Sequence, residues 1–483
     1  MKLFPSTDTV SQPAMLLVSG RAIGLVATFA IGIILARIFT PAVFGTYKQF
    51  FLVYGTLYGL AQLGMAESLY YFVPRHPART GRYVCNALVT LAFAGIGCLA
   101  ALSIYRTQIA ASLTNAPLAE YMVLLGLFLT FMLMSTVLEI VLVSRKRHFT
   151  AAVTYAGSDI GRTLLFIVPA LAFASLHAVF VGGTIFAAVR LVVMTAALWR
   201  KYGSEFRVDL SLWRDQLAYA LPFALAVGIE VIQINYHQYV VASRFDAATF
   251  AIYAIGCMQI PLVDLIVTST VNVLMVKMAE ESSDGHMAVS LWHETVCRLA
   301  FLIVPLAVFL LVIAHELIVG LFTETYAASV PIFMIWALTI LPSIFAVDAV
   351  LRVYAQTRFL LVMNLMRLAF VAVLIGWFLS TFGLVGAVLV TLISTAAVKA
   401  LGVIRLARLL HVPVAEALPW ASLGGITIRA VVAALPVLWI THYASLHPLA
   451  GLIVGGAAYG ATYLLLSIGA GFGKDKETVP CAA

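Results

Sequence analysis

The opening hairpin limits this chain to very few folds. An apolar run over residues 22–38 is interrupted only by small residues and Thr28, and a second run covers 50–73. Residues 40–48 separate them, with Pro41 and Gly45 inside, and Pro74 and the basic cluster Arg75, His76, Arg79 and Arg82 end the second run. Counted over 14–38 and 50–74, both exceed the roughly 20 apolar residues that cross a bilayer core at 1.5 Å per residue. Two such runs joined by a tight turn make a transmembrane helical hairpin.

The turn recurs about 206 residues further on. Ala36, Phe39, Ala42, Phe44 and Tyr47 fall without a gap on Ala242, Phe245, Ala248, Phe250 and Tyr253. Interfacial turns favour Phe, Tyr and small residues in any case. The spacing also fits an internal duplication, which is how many transporters are built, with the substrate path between the halves.

Composition extends the argument to the whole chain. Hydrophobic residues make up 63% of the 483 and charged ones 10%, against roughly a quarter charged in an ordinary soluble domain. The expected fold class is an all-α polytopic membrane protein with about 14 transmembrane helices. Spans are expected near 14–38, 50–74, 83–105, 118–143, 151–174, 177–198, 217–243, 248–274, 291–314, 328–352, 358–380, 383–408, 425–443 and 447–470. Connections on one side carry Arg75, Arg79, Arg82, Arg145, Lys146, Arg147, Arg200, Lys201, Arg207 and Arg214, then Lys277, Arg352, Arg358, Lys399, Arg405, Arg408, Lys474 and Lys476, whereas the other side collects only Arg37, Lys48, Arg106 and Arg244. The positive-inside bias then puts both termini in the cytoplasm. The net charge of +8 is a topology signal and not a nucleic-acid footprint. Longer connections at 201–216 and 411–422 divide the chain into six plus six plus two spans. Residues 1–210 form an N-terminal six-helix bundle, 211–412 a C-terminal six-helix bundle, and 413–483 two additional helices with a cytoplasmic tail.

An ionisable residue inside a span is a functional hypothesis by default, because lipid exposure is costly. Asp159 and Arg162, three apart, share a helical face, and the pairs Glu294/Arg298 and Asp348/Arg352, four apart, read as local ion pairs. Glu67, Arg190 and Arg367 have no charged neighbour within a turn. Glu230, Gln233 and His237 share one face of their span, and Asp264, Thr268 and Asn272 form a stripe on the next. Adjacent antiparallel helices with such stripes read as the wall of a water-filled cavity, polar glue between helices being the competing reading. Tyr54, Tyr58 and Gln62 stack along a third face, which suits either a sugar ring or an interfacial anchor.

Enzyme chemistry finds little support. The five cysteines show neither CxxC nor metal-ligand spacing, the ten histidines give neither HxxxH nor HExxH, and no GxxxxGK[ST] phosphate loop occurs. The expectation is a non-enzyme with no metal site and no cofactor.

The residues Ile34-Leu35-Ala36-Arg37 through Phe44-Gly45-Thr46-Tyr47, followed by Gly64-Met65-Ala66-Glu67-Ser68, resemble the start of polysaccharide exporters. These are the O-antigen and exopolysaccharide flippases of the multidrug/oligosaccharidyl-lipid/polysaccharide superfamily. The segment Gly383-Leu384-Val385-Gly386-Ala387 is similar to the same family's habit. The resemblance implies two six-helix bundles in a V-shaped, MATE-like arrangement, opening a central cavity alternately to each side. It implies an undecaprenyl-diphosphate-linked oligosaccharide as cargo, with Arg21, Arg162, Arg190 and Arg367 as the cationic candidates to meet the diphosphate or acidic sugars. It implies an inner-membrane location beside a polysaccharide polymerase and a chain-length regulator. Some multidrug relatives couple to cations through an acid in the first span; this chain has none there, so Asp264 or Glu230 would have to carry any proton or sodium coupling. A drug–cation antiporter or a peptidoglycan-precursor flippase of the same fold is the alternative, and a membrane-embedded polymerase a more distant one.

Overall fold

The computed structural model describes residues 24, 28–280, 285–443 and 448–470. The described residues form helices joined by short turns: α1 (Thr28–Ile38), α2 (Pro41–Ala61), α3 (Met65–Arg75), α4 (Thr80–Ile104), α5 (Arg106–Ser112), α6 (Met122–Ser135), α7 (Val137–Ser144), α8 (His148–Phe173), α9 (Leu176–Tyr202), α10 (Leu210–Arg244), α11 (Ala247–Gly256), α12 (Pro261–Glu280), α13 (Gly285–Val312), α14 (Ala314–Phe322), α15 (Val330–Leu338), α16 (Val347–Val353), α17 (Thr357–Leu409), α18 (Trp420–Tyr443) and α19 (Pro448–Gly469). Among the described residues, 11 helical segments are long and apolar enough to cross a membrane. The protein is a multi-pass α-helical membrane protein.

The first hairpin differs from its sequence reading in one respect. Residues 41–48, expected as a turn, are the first two turns of α2, because Pro41 at the helix start has no N–H to leave unpaired and a φ already suited to a helix. The expected span over 50–74 is in turn two helices, broken where Leu63 (φ 49°) and Gly64 (φ 65°) take left-handed backbone. The second copy of the turn is built alike. A shift of 206 residues carries the end of α1 at Ile38 onto the end of α10 at Arg244, and the start of α2 onto the start of α11. The two turns also touch: a Cβ on Gly45 would overlap the Ala247 carbonyl oxygen.

Further along, the repeat shifts to 209 residues. The left-handed residues Thr114, Lys146 and Ala174 (φ 51°, 58° and 46°) recur as Thr323, Ala355 and Gly383 (φ 93°, 53° and 59°). Gly383 also explains the length of α17. A straight 53-residue helix would be about 80 Å long, far more than a hydrocarbon core of about 30 Å. At Gly383 (φ 59°, ψ −147°) the chain leaves helical geometry, so α17 is two spans, matching α8 and α9.

By contacts the chain divides into Met1–Ala251 and Ile252–Ala483. In the first unit α10 packs on α2, α3 and α4. Its start is fastened by Asp209, whose Oδ1 accepts hydrogen bonds from Ser211 Oγ (2.7 Å) and the Leu212 N–H (3.3 Å) while Oδ2 meets Arg82 at 3.1 Å. Those two hydrogen bonds, and then the Arg82 charge, hold the Asp209 carboxyl below its ordinary range. In the second unit α18 and α19 pack on each other, and both pack on α13: Tyr459 donates to the Ala430 carbonyl (3.2 Å) and Tyr463 to the Phe301 carbonyl (3.1 Å).

Candidate functional site

The first unit gathers its intramembrane charges around α7, α8 and α9. Arg190 lies near the middle of α9, and its Nη2 is 2.6 Å from both carboxyl oxygens of Glu139 on α7. Glu139 is 3% exposed. A guanidinium that holds both oxygens of a buried carboxylate fixes its position and supplies the charge that burial demands. On α8, Asp159 and Arg162 pair at 2.9 Å, and Arg162 donates a 2.5 Å hydrogen bond to the Thr28 hydroxyl of α1. Gly24 gives Asp159 its room, since a Cβ there would overlap the carboxylate. Tyr54 and Tyr58 of α2 stand within the field of Arg190, and Tyr58 also within that of Glu139 and Glu67. Among the described residues, Glu67 Oε2 on α3 is buried without a hydrogen bond. Around α7, α8 and α9 the two acids Glu139 and Asp159 are each paired with an arginine, Arg190 and Arg162.

The second unit repeats the central pair with a different balance. Lys399 Nζ of α17 is 2.5 Å from Asp348 Oδ2 of α16, across the same 51-residue separation that joins Glu139 to Arg190. The 209-residue shift carries Glu139 onto Asp348 and Arg190 onto Lys399. Arg367, in the first half of α17, lies within electrostatic reach of Asp348. Its Nε is buried without a hydrogen bond among the described residues. Here two cations face one carboxylate. The local pair expected from sequence, Asp348 with Arg352, is not the one formed: α17 packs on α16 and brings Lys399 to the carboxylate instead. The Glu294–Arg298 pair does form within α13.

The remaining candidates are dispersed. On α10, Gln233 and His237 are buried and Glu230 is exposed. That helix is held on α2 by Asn235, which donates to the Thr56 hydroxyl (3.2 Å), and by Tyr239, which reaches the Leu52 carbonyl (3.4 Å). Asp264, Thr268 and Asn272 are all exposed on α12, with Asp264 in its first turn, just past the break that separates α11 from α12. Glu230 and Asp264 thus belong to different units. Arg21 lies outside the described residues. Among the described residues no group of three or more His, Cys, Asp or Glu could hold a metal ion. Sequence reasoning passes over Glu139 and counts Lys399 as a loop cation, because the 206-residue shift legible in the sequence carries Arg190 onto Ala396 and the 209-residue shift emerges only from the backbone.

This fold is shared with known transporters. It matches a structure of the lipid II flippase MurJ in its inward closed conformation with TM-score 0.74 and 12% identity, over 92% of this chain and 98% of that one. A MOP superfamily transporter from Pyrococcus furiosus matches with TM-score 0.55 and 14% identity, over 81% and 92%. The Vibrio cholerae MATE transporter VcmN in its bent form matches with TM-score 0.53 and 13% identity, over 83% and 98%. No curated protein sequence matches. The family model described as polysaccharide biosynthesis protein matches residues 34–331, more than half of the sequence. The chain belongs to the polysaccharide biosynthesis protein family, and its fold is that of MurJ and the MATE transporters.

Proposed function

We propose that this protein is a flippase, carrying an undecaprenyl-diphosphate-linked oligosaccharide repeat unit across the inner membrane by alternating access for surface or exopolysaccharide synthesis. The observation that carries the reading is a MurJ-like fold over 92% of a chain from a polysaccharide biosynthesis family. Such a cargo pairs a hydrocarbon tail with a charged, sugar-bearing head, and the head needs polar groups inside the membrane to replace its water. The intramembrane Arg162, Arg190 and Arg367, with Glu67, Asp159, Glu230, Gln233, His237 and Asp264, supply them, and Arg21 extends the set in the first span. Both termini face the cytoplasm in this reading, a polymerase and a chain-length regulator act on the product, and Asp264 or Glu230 carries any proton or sodium coupling.

Deleting the gene in its own host tests this. Undecaprenyl-diphosphate oligosaccharide should accumulate on the cytoplasmic face while surface polysaccharide is lost. Unchanged lipid intermediates together with altered drug or dye sensitivity would assign the fold to a drug–cation antiporter instead.

A further inference from the structure

Glu139–Arg190 and Asp348–Lys399 occupy matching places in the two repeats, yet they differ in whatever decides whether a ligand can open them. In the first pair a single guanidinium nitrogen meets both carboxyl oxygens, and the side chains are 4% and 17% exposed. The second rests on a single contact, and its carboxylate is 49% exposed. Removing Arg190 from Glu139 would strand a buried charge, whereas Asp348 can turn to solvent. A third member adds to the contrast. Position 158 of the first repeat is Ser158, but its counterpart in the second is Arg367, which brings an extra cation. Arg367 lies ten residues into α17 and Lys399 ten residues from its end. Both therefore stand about 15 Å along their helical segments, near half the thickness of a hydrocarbon core.

We infer that Lys399 and Arg367 form a binding site for a phosphate-ester oxyanion, with Asp348 as the counter-ion that the ligand displaces from Lys399. Two cations and one mobile carboxylate leave a charge that a phosphate completes, and a guanidinium offers it planar two-point contact. The Glu139–Arg190 pair stays closed and contributes to the polar lining as a neutral pair, without taking up the phosphate. Under the proposed function, on which this assignment of ligand source rests, the oxyanion is the diphosphate of the cargo. A membrane phospholipid headgroup offers the same chemistry.

The test uses the purified full-length protein in detergent with farnesyl diphosphate and inorganic pyrophosphate as probes, and in nanodiscs with and without phosphatidylglycerol. Lys399→Gln and Arg367→Gln should each weaken diphosphate binding roughly 10- to 100-fold. Lys399→Arg should retain it, and Asp348→Asn should tighten it several-fold. All variants are first checked for a wild-type melting profile, and Glu139→Gln, if folded, should bind as wild type. Displacement of farnesyl diphosphate by phosphatidylglycerol upholds the site and gives a membrane lipid as its source; indifference to that lipid gives the cargo. Wild-type affinity in both Lys399→Gln and Arg367→Gln, or weaker binding by Asp348→Asn, would overturn the inference. The two readings fail separately. If the deletion strain accumulates lipid-linked saccharide but Lys399→Gln and Arg367→Gln complement it fully, the site fails and the flippase stands. If pyrophosphate binds through these residues while deletion leaves lipid intermediates unchanged, the site stands and the cargo assignment fails.

Discussion

Replacing Arg190 by Ala isolates Glu139, the most buried carboxylate among the described residues. Glu139 is 3% exposed and has both oxygens on Arg190. Its carboxylate would then have to stay ionised without a partner, take up a proton, or draw water into the bundle. Breaking a buried ion pair from one side costs about 3–5 kcal/mol, or roughly two to three and a half powers of ten in the folding equilibrium at about 1.4 kcal/mol per tenfold. Removing both partners leaves no charge to strand, so the double variant Glu139→Met/Arg190→Leu should recover most of that loss. Asp348–Lys399 is the internal control. With Asp348 half exposed, its pair falls nearer the exposed class, and Lys399→Ala should cost about 1 kcal/mol or less. Denaturant titration in mild detergent, followed by tryptophan fluorescence, gives all four numbers from one preparation. Should Arg190→Ala cost no more than Lys399→Ala, or the double variant be as unstable as the single, the argument from burial is wrong.

Two further perturbations test the frame that holds the site. Gly45→Leu puts a side chain where the Ala247 backbone already stands; because the obstacle is backbone, the cost should be about 1–3 kcal/mol or more, read as a lower melting temperature, whereas Gly32→Leu, where a Cβ meets nothing, should be well tolerated. Asp209→Asn tests the clamp on α10. The Asp209 carboxyl is held low by Ser211, Leu212 and Arg82, so its contribution is complete above the unfolded carboxylate value of about 3.9 and is lost as pH falls through the lower folded value. The melting difference between wild type and Asp209→Asn should therefore be constant from pH 7 to 5 and close below pH 4; a gap unchanged at pH 3 counts against the clamp.

What the sequence revealed followed from the range of each interaction. Apolar runs report on lipid, a solvent that acts on every residue of a span, so the membrane class and most of the spans were legible. The repeat was legible at the 36–47 turn because its aromatic residues are fixed by local geometry as well as by packing. Helix breaks were less legible: α2 starts at Pro41 where a turn was expected, and the interruption at Leu63 and Gly64 depends on α10 packing beside it. Ion pairs across helices were the hardest. Nothing within a turn of Arg190 announces Glu139, and the i,i+4 rule that finds Glu294–Arg298 misassigns Asp348, because a lysine 51 residues away on a packed helix takes it.

The two repeats also differ in how each would meet an anionic ligand. At matched depth, each begins from one acid and one base joined across 51 residues. In the first, the Asp159–Arg162 pair adds no net charge to that core, and one guanidinium nitrogen holds both carboxyl oxygens. In the second, Arg367 replaces a serine, the base is a lysine with one contact, and the excess is positive. An incoming oxyanion finds no free cation in the first arrangement and would have to break two short contacts there. It is attracted by the second and has only a half-exposed carboxylate to displace. Swapping the bases, with Arg190→Lys and Lys399→Arg in one protein, should therefore leave anion binding on the second repeat and unsettle only the first, because exposure and the third charge set the difference and the identity of the base does not. Anion binding that followed the lysine to position 190 would refute this.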